Sequence, residues 1–321
     1  MASIDVVIPC YNYAHFLRQC VRSVLSEAVA DLRVIIIDNA STDNSVEVAH
    51  QLAEKDPRVE IICHTKNLGP QASFNEGIDL ARADYFMILC ADDLLTAGSI
   101  RYGIDLMEKY SNTSFVLGSH MESWVGERLP ELVQQLDGVE MVSGTTFIER
   151  CCQSLTNVPA HAILVRTSVQ KQVGHYRASL PFMDDVEMVL RLAPTGLVAK
   201  LPAPIAVPRL HGANLTGPLW NDRLRVLQER ESVFKSFFSH EGADLPNAIQ
   251  LLEVQMRRLA EAAFWSAASH LVRGKQQQAF ELLRFGYRLS PASILVPPLG
   301  HLLRTKGSFK RIAAVVSGWG R

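Results

Sequence analysis

The chain lacks a charge excess of either sign. Its 321 residues carry 32 Lys and Arg against 33 Asp and Glu, a formal net charge of −1. Affinity for nucleic acid needs a basic surface that neutralises phosphates, and this balance offers no case for one. Long apolar runs are missing too, so no segment has the length to span a bilayer. The opening residues, MASIDVVIP, have no basic segment and run directly into a strand pattern, so no secretory signal is expected. The six cysteines show neither CxxC spacing nor a zinc pattern. Cys10, Cys63 and Cys90 fall in strand patterns and are expected to be buried, reduced thiols, as in a cytoplasmic protein. No Gly-rich basic phosphate loop follows the first strand, where Pro9, Cys10, Tyr11 and Asn12 stand instead. Internal repeats are absent as well. QQQAFELLRFGYRLSP resembles a single tetratricopeptide-like helix, and one unit cannot build an array.

What is present is a series of apolar runs that stop abruptly at polar turns. Ile35, Ile36 and Ile37 read as a fully buried strand of a parallel sheet, closed by Asp38 and the small polar loop NASTDNS. Asp38 is therefore placed at a strand's carboxyl end, where open α/β sheets bind ligands and where a carboxylate can accept hydrogen bonds from a base or ribose. Asp is equally at home in turns and helix caps, and Asp43 in the same loop suits a cap of the following helix. VVIPCYN, Val6 to Asn12, supplies a partner strand. In the next segment Phe16, Leu17, Cys20, Val21, Val24 and Leu25 share a helical stripe. A strand at Val59–Cys63, a helix after Asn67-Leu68-Gly69-Pro70 and a strand at Tyr85–Cys90 continue the alternation. Right-handed crossovers and a parallel α/β sheet follow. Further on, Leu94–Tyr110 reads as a helix, Ser114–Ser119 and Ala162–Arg166 as strands, Val186–Leu192 as a helix and Leu197–Pro208 as a strand broken by prolines. Trp124–Val142 is irregular and suits an acceptor-side loop. Beyond Gly217-Pro218 the pattern is helical, with breaks at Gly242–Pro246 and Gly274. Residues 1–218 are expected to form a catalytic domain and 219–321 a helical region.

VVIPCYN, the DNASTDNS loop, NLG with FNEGIDLA, YFMILCADD and FMDDVEMVLRL occur in that order at ordinary spacing. Together they resemble the family 2 glycosyltransferases, inverting enzymes of the GT-A fold that use nucleotide-sugar donors. The resemblance covers the first two thirds of the chain and does not reach the helical region. It implies a Rossmann-like, mostly parallel α/β sheet with a C-terminal helical appendage. It implies a nucleotide-sugar donor, probed most simply as a uridine nucleotide, and a glycan or lipid-linked acceptor in polysaccharide or glycan synthesis.

The resemblance also assigns residues. Pro9, Tyr11, Asn12, Asp38, Asn67, Gly69 and Asp92 would hold the nucleotide, with Asn75 shaping the same loop. Asp92, Asp93 and His211 would hold Mg2+ or Mn2+, hard oxygen ligands suiting such a cation on a diphosphate. Family members often carry Asp-x-Asp-Asp here, and this chain has Cys90 and Ala91 at the first two positions. Counting back from Arg191 puts Asp185 at the general-base position with Asp184 beside it, whose charge raises the pKa of the base. Both acidic pairs also suit helix N-termini. Arg191 is expected to pair with an acidic side chain, and Arg209 can face the diphosphate. His161 is read as an ordinary strand-end residue. Two rivals stand beside this reading. A sugar nucleotidyltransferase would want the missing phosphate loop. A degenerate binding subunit draws on Cys90 and Ala91. The tail from 291 to 321 mixes apolar residues with Arg304, Lys306, Lys310, Arg311, Trp319 and Arg321. It is read as packing on the domain, with peripheral contact at the inner face of a membrane as the alternative.

Overall fold

The structure, a computed structural model, describes residues 2–119, 138–155, 162–212, 214 and 217–304. The chain divides into two compact units, Met1–Ile148 with Asn157–Asn214, and Glu149–Thr156 with Leu215–Arg321.

The first unit opens with strict alternation: β1 (Ser3–Cys10), α1 (Ala14–Leu25), β2 (Asp31–Asp38), α2 (Ser45–Ala53), β3 (Val59–Cys63), α3 (Pro70–Leu80) and β4 (Tyr85–Ile88). It continues with β5 (Leu94–Leu95), α4 (Ser99–Lys109), β6 (Thr113–Leu117), β7 (Glu140–Ser143), α5 (Gly144–Gln153), β8 (Ile163–Arg166), α6 (Thr167–Val173), α7 (Asp184–Leu192), β9 (Leu197–Lys200) and β10 (Ala206–Val207). Val6, Val7, Ile8, Ile35, Ile36 and Ile37 are wholly buried because helices cover both faces of β1 and β2. Each such side chain contributes roughly 1.5–3 kcal/mol of burial energy. Helix α1 forms because Ala14, Leu17, Cys20, Val21 and Val24 recur on one face and are buried there. Phe16 and Leu25, expected on the same stripe, lie half-exposed at its margin.

Among the described residues the main sheet runs β3-β2-β1-β4-β8-β6-β9-β7. β3, β2, β1 and β4 are mutually parallel, as are β6 and β9, whereas β8 and β7 run antiparallel to their neighbours. The chain steps outward from β1 to β2 and β3, then returns to pair β4 on the other side of β1. That reversal creates a crevice at the carboxyl ends of β1 and β4, the place where such sheets take ligands.

Several boundaries differ from the sequence reading, each for a local reason. Leu94 and Leu95 are not helical, because they pair with Ala206 and Val207 as a separate two-stranded ribbon. Helix α4 begins only after Gly98, whose φ of 79° is left-handed. The segment 197–208 splits into β9 and β10 around Pro202 and Pro204, and the two strands join different sheets. Cys10 is buried and Cys90 is half-buried, but Cys63 is exposed because β3 is the edge strand. Of the expected loop at 124–142, residues 140–142 are strand β7 and residues up to 137 lie outside the described ones, as does His161.

The second unit holds α8 (Gly217–Asn221), α9 (Arg223–Phe238), α10 (Ala248–Val272), α11 (Gln276–Leu289), α12 (Ala292–Leu295) and α13 (Leu299–Arg304). Val233, Phe234, Phe237, Leu259, Leu282 and Phe285 form its core. Arg288 on α11 grips Glu231 on α9 through both carboxylate oxygens, at 2.8 and 2.6 Å. Arg230 donates to the Ser154 carbonyl at 2.7 Å and the Cys151 carbonyl at 3.3 Å, which ties residues 149–156 into this unit. No helix of the described residues is long and apolar enough to cross a membrane. Residues 305–321, most of the basic tail, lie outside the described ones.

Candidate active site

Two loops at the carboxyl ends of the parallel strands β2 and β4, and a third between α6 and α7, carry the chemistry. The first follows β2. Asp38 is buried, and its Oδ2 accepts the Ser41 N–H at 2.9 Å. Its Oδ1 is buried with no partner, which is costly unless a ligand supplies a donor. Asn12, at φ 59°, braces this loop: its Oδ1 accepts from Thr42 N at 2.7 Å and its N–H donates to Ser41 Oγ at 2.9 Å. Asp43 accepts from Ser45 N at 2.9 Å and Ala14 N at 3.2 Å, so it serves the first residues of both α2 and α1. Pro9 pairs with Ile37 inside the sheet, and Tyr11 is 41% exposed beyond it.

Beside this loop stands the segment after β3. Asn67 Oδ1 accepts from the Gly69 N–H at 2.9 Å and from Asn39 Nδ2 at 3.0 Å. Gly69 has φ 84°, a backbone that side chains strain, and it turns the chain into α3. Asn75, expected in this loop, instead clamps the backbone of Tyr176 in both directions, at 3.0 and 2.7 Å.

The second loop follows β4. Asp92 and Asp93 are both buried. Donor atoms of Cys90, Asp92 and Asp93 lie within 4.8 Å of one another. His211 Nε2 and Asn214 Nδ2 each reach Asp92 Oδ2 at 3.2 Å. Burial drives the Asp93 carboxyl well above the usual carboxylate range, the charge of Asp92 adds to this, and Arg209 opposes it. Arg209 does not face a free anion site. It donates to the carbonyls of Asp92, Ala91 and Asp93 and to Gln19 Oε1. Its guanidinium stacks 4.3 Å from the Phe16 ring, and His211 packs on the same ring at 4.6 Å. Arg209 is thus a strut that holds the acidic loop against α1. Two buried carboxylates, with a histidine converging on one of them, make a donor set that can accept a divalent cation.

The third loop opens α7. Asp184 Oδ2 accepts from Gln71 Nε2 at 2.8 Å, and its Oδ1 accepts the Asp185 N–H at 2.9 Å. Burial, reinforced by the Asp184 charge, pushes the Asp185 carboxyl up to about 7. Asp184 is raised by burial as well, against its bond from Gln71. Glu187 is wholly buried between Arg191, at 2.8 Å, and Arg177, so this third acid is a structural ion-pair member. Arg191 also holds the carbonyls of Val173 and His175, at 2.9 and 2.7 Å. Tyr176 packs its ring edge on Phe74, 5.2 Å between centroids. Burial raises its phenol, with Asp184, Asp185 and Cys90 adding, so these groups share one electrostatic neighbourhood.

Gln71 links the start of α3 to Asp184, and Tyr176 feels Asp184, Asp185 and Cys90 together, so the loops after β4 and before α7 lie near each other. Sequence reasoning missed Gln71, Tyr176, His64, Phe16 and Asn214. Asn214 alone had a local signal, three residues after His211. The cleft of about 430 Å³ lined by Arg82, Tyr85, Glu108, Arg166 and Lys171 lies at the amino end of β4, away from this chemistry.

The sequence model of glycosyl transferase family 2 matches residues 5–174. The chain belongs to this family. An uncharacterized glycosyltransferase of Haemophilus influenzae is 22% identical over 260 residues, 78% of this chain and 80% of that one. A second one from that organism is 33% identical over 121 residues, covering 38% of this chain and 45% of the relative. The chain thus spans less than half of that relative. Among solved structures, S. aureus TarS 1-349 in complex with UDP-GlcNAc has a TM-score of 0.66 at 15% identity, covering 95% of this chain and 88% of that one. Mannosyltransferase PcManGT from Pyrobaculum calidifontis, in complex with GDP-Man and Mn2+, has a TM-score of 0.54 at 16% identity, covering 92% and 88%. These glycosyltransferases share the GT-A-like fold with the family 2 chain described here.

Proposed function

We propose that the protein transfers a sugar, with inversion, from a UDP-linked donor to a hydroxyl of a polysaccharide or lipid-linked acceptor. The observation that carries this reading is the Asp184–Asp185 pair opening α7, tied by Gln71 to the start of α3, with the Asp185 carboxyl pushed up to about 7. A general base works best with its pKa near the working pH, and inversion needs one base and no enzyme nucleophile. Asp38 Oδ1, buried and without a partner, suits an N–H donor of the nucleotide base or a ribose hydroxyl. Asp92, Asp93 and His211 would hold Mg2+ or Mn2+, with Cys90 beside them. Such a cation would neutralise the departing diphosphate. Asp185 would accept the acceptor's proton while Gln71 fixes Asp184 and so the orientation of the pair. TarS in complex with UDP-GlcNAc and PcManGT in complex with GDP-Man and Mn2+ share this fold and support a nucleotide-sugar donor and a divalent cation here.

The test is a panel of nucleotide sugars scored by thermal shift with and without Mn2+. One donor should raise Tm in a metal-dependent way, since a ligand that binds only the folded state stabilises it. No shift with any donor would remove the reading. A nucleotide-sugar donor would be available in the cytoplasm. The basic, Trp-containing tail would add a peripheral contact with the inner face of the membrane. Removal of residues 291–321 should then abolish sedimentation with anionic liposomes at low salt, and unchanged sedimentation would assign the tail to packing.

A further inference from the structure

His64 ends the strand side of the nucleotide wall. Its Nδ1 lies 2.9 Å from Asn39 Oδ1, and its Nε2 lies 2.5 Å from Glu76 Oε2 on α3. The orientation of Asn39 is set by its other bonds. Asn39 Oδ1 already accepts the Leu68 N–H at 2.9 Å, and a backbone N–H can only donate. Asn39 Nδ2 donates to Asn67 Oδ1 at 3.0 Å, and that oxygen also accepts the Gly69 N–H. His64 Nδ1 therefore faces an acceptor and must carry hydrogen. Its Nε2 lies against the Glu76 carboxylate, which anchors the ring.

We infer that His64 is a positioning residue that fixes the Asn39–Asn67–Gly69 wall of the site for a nucleoside diphosphate. The inference rests on the donor site proposed above. Asn39 follows Asp38 directly, and the His64 N–H donates to the Asp38 carbonyl at 2.8 Å. A shift of Asn39 thus moves the loop that aims the free Asp38 oxygen. Without a donor at the Nδ1 position, Asn39 Oδ1 loses this hold and the wall loosens.

Three measurements on the full chain test this. First, nitrogen NMR of the His64 ring should show hydrogen on Nδ1. Second, amide-exchange protection at Leu68 and Gly69 should fall about tenfold in His64→Gln, which loses the Nδ1 donor. His64→Asn places an amide donor at the Nδ1 position and should keep most of the protection, a rescue that a merely space-filling role would not produce. Third, the affinity for UDP, the probe nucleotide, should fall about tenfold in His64→Gln and recover in His64→Asn. A ring without hydrogen on Nδ1, or equal Leu68 protection in wild type and His64→Gln, overturns the inference. Should His64→Gln fail to fold, His64→Ala replaces it, with the same fall in Leu68 protection expected. If the wild type shows the expected ring and exchange behaviour but binds neither UDP nor GDP, the nucleotide reading fails while the role of His64 in the loop stands.

Discussion

At the scale of single residues, Asp185 decides most. Asp185→Asn keeps the size and removes the proposed base, so kcat should fall by about 10²–10⁴ while donor affinity persists. In the wild type, kcat should rise as pH climbs through about 7, because only the ionised carboxyl accepts a proton. Asp184→Asn removes the charge that helps raise Asp185, so this acid limb should move to lower pH. The same shift carries a stability sign. The folded-state value lies above the ordinary 3.8, so the contribution is full below 3.8 and is lost as pH rises through about 7. Asp185→Asn cannot ionise and should raise Tm at pH 8, and an unchanged Tm would count against a desolvated carboxyl. The acids were legible in the sequence because acidic pairs next to strand and helix ends are local patterns. Gln71 was not, since its partner Asp184 lies 113 residues away. Nothing near His64 announces that Asn39 lies opposite it. The role of Arg209 was readable only in part: a cation near the acidic loop was visible, and its saturation by carbonyls was not.

At the scale of elements, periodicity served well wherever burial is one-sided or complete. It located β3 to the residue and α1 to within a turn. It failed at Leu94–Leu95, where two leucines continue a helical spacing but are taken up by Val207 and Ala206 from more than a hundred residues away. The true start of α4 depends on a side chain from another element. Glu27, buried after α1, accepts from the N–H groups of Gly98, Ile100 and Arg101 at 2.6, 3.0 and 3.3 Å. It takes the place of a local cap for this helix, which has no side-chain cap of its own. Burial raises its carboxyl while these three bonds lower it. Glu27→Ala strands several buried N–H groups and should cost about 1–3 kcal/mol in urea unfolding. A change within error would show that water replaces the carboxylate.

At the scale of the whole molecule, the helical unit recruits residues 149–156 from the middle of the chain, an arrangement that no linear change of composition announces. Arg230 is nearly buried and donates to the carbonyls of Cys151 and Ser154. A chain ended after Pro218 would leave Cys151 and Cys152 without this cover. It should therefore melt below the full protein and aggregate on heating, as light scattering would show. A shortened chain that melts at the full-length temperature would mean that the first unit stands alone. The exposed edge of the sheet has a practical consequence for anyone watching the protein at work. Of six free thiols, five are buried or half-buried, and Cys63 is the exposed one. Partial burial and the Asp38 charge raise its thiol, so it reacts slowly with maleimides at neutral pH and faster in mild base. A dye attached there would sit in register with Asp38 and next to His64. The native chain thus carries its own labelling position, and fluorescence from that single probe can follow a ligand's arrival in real time.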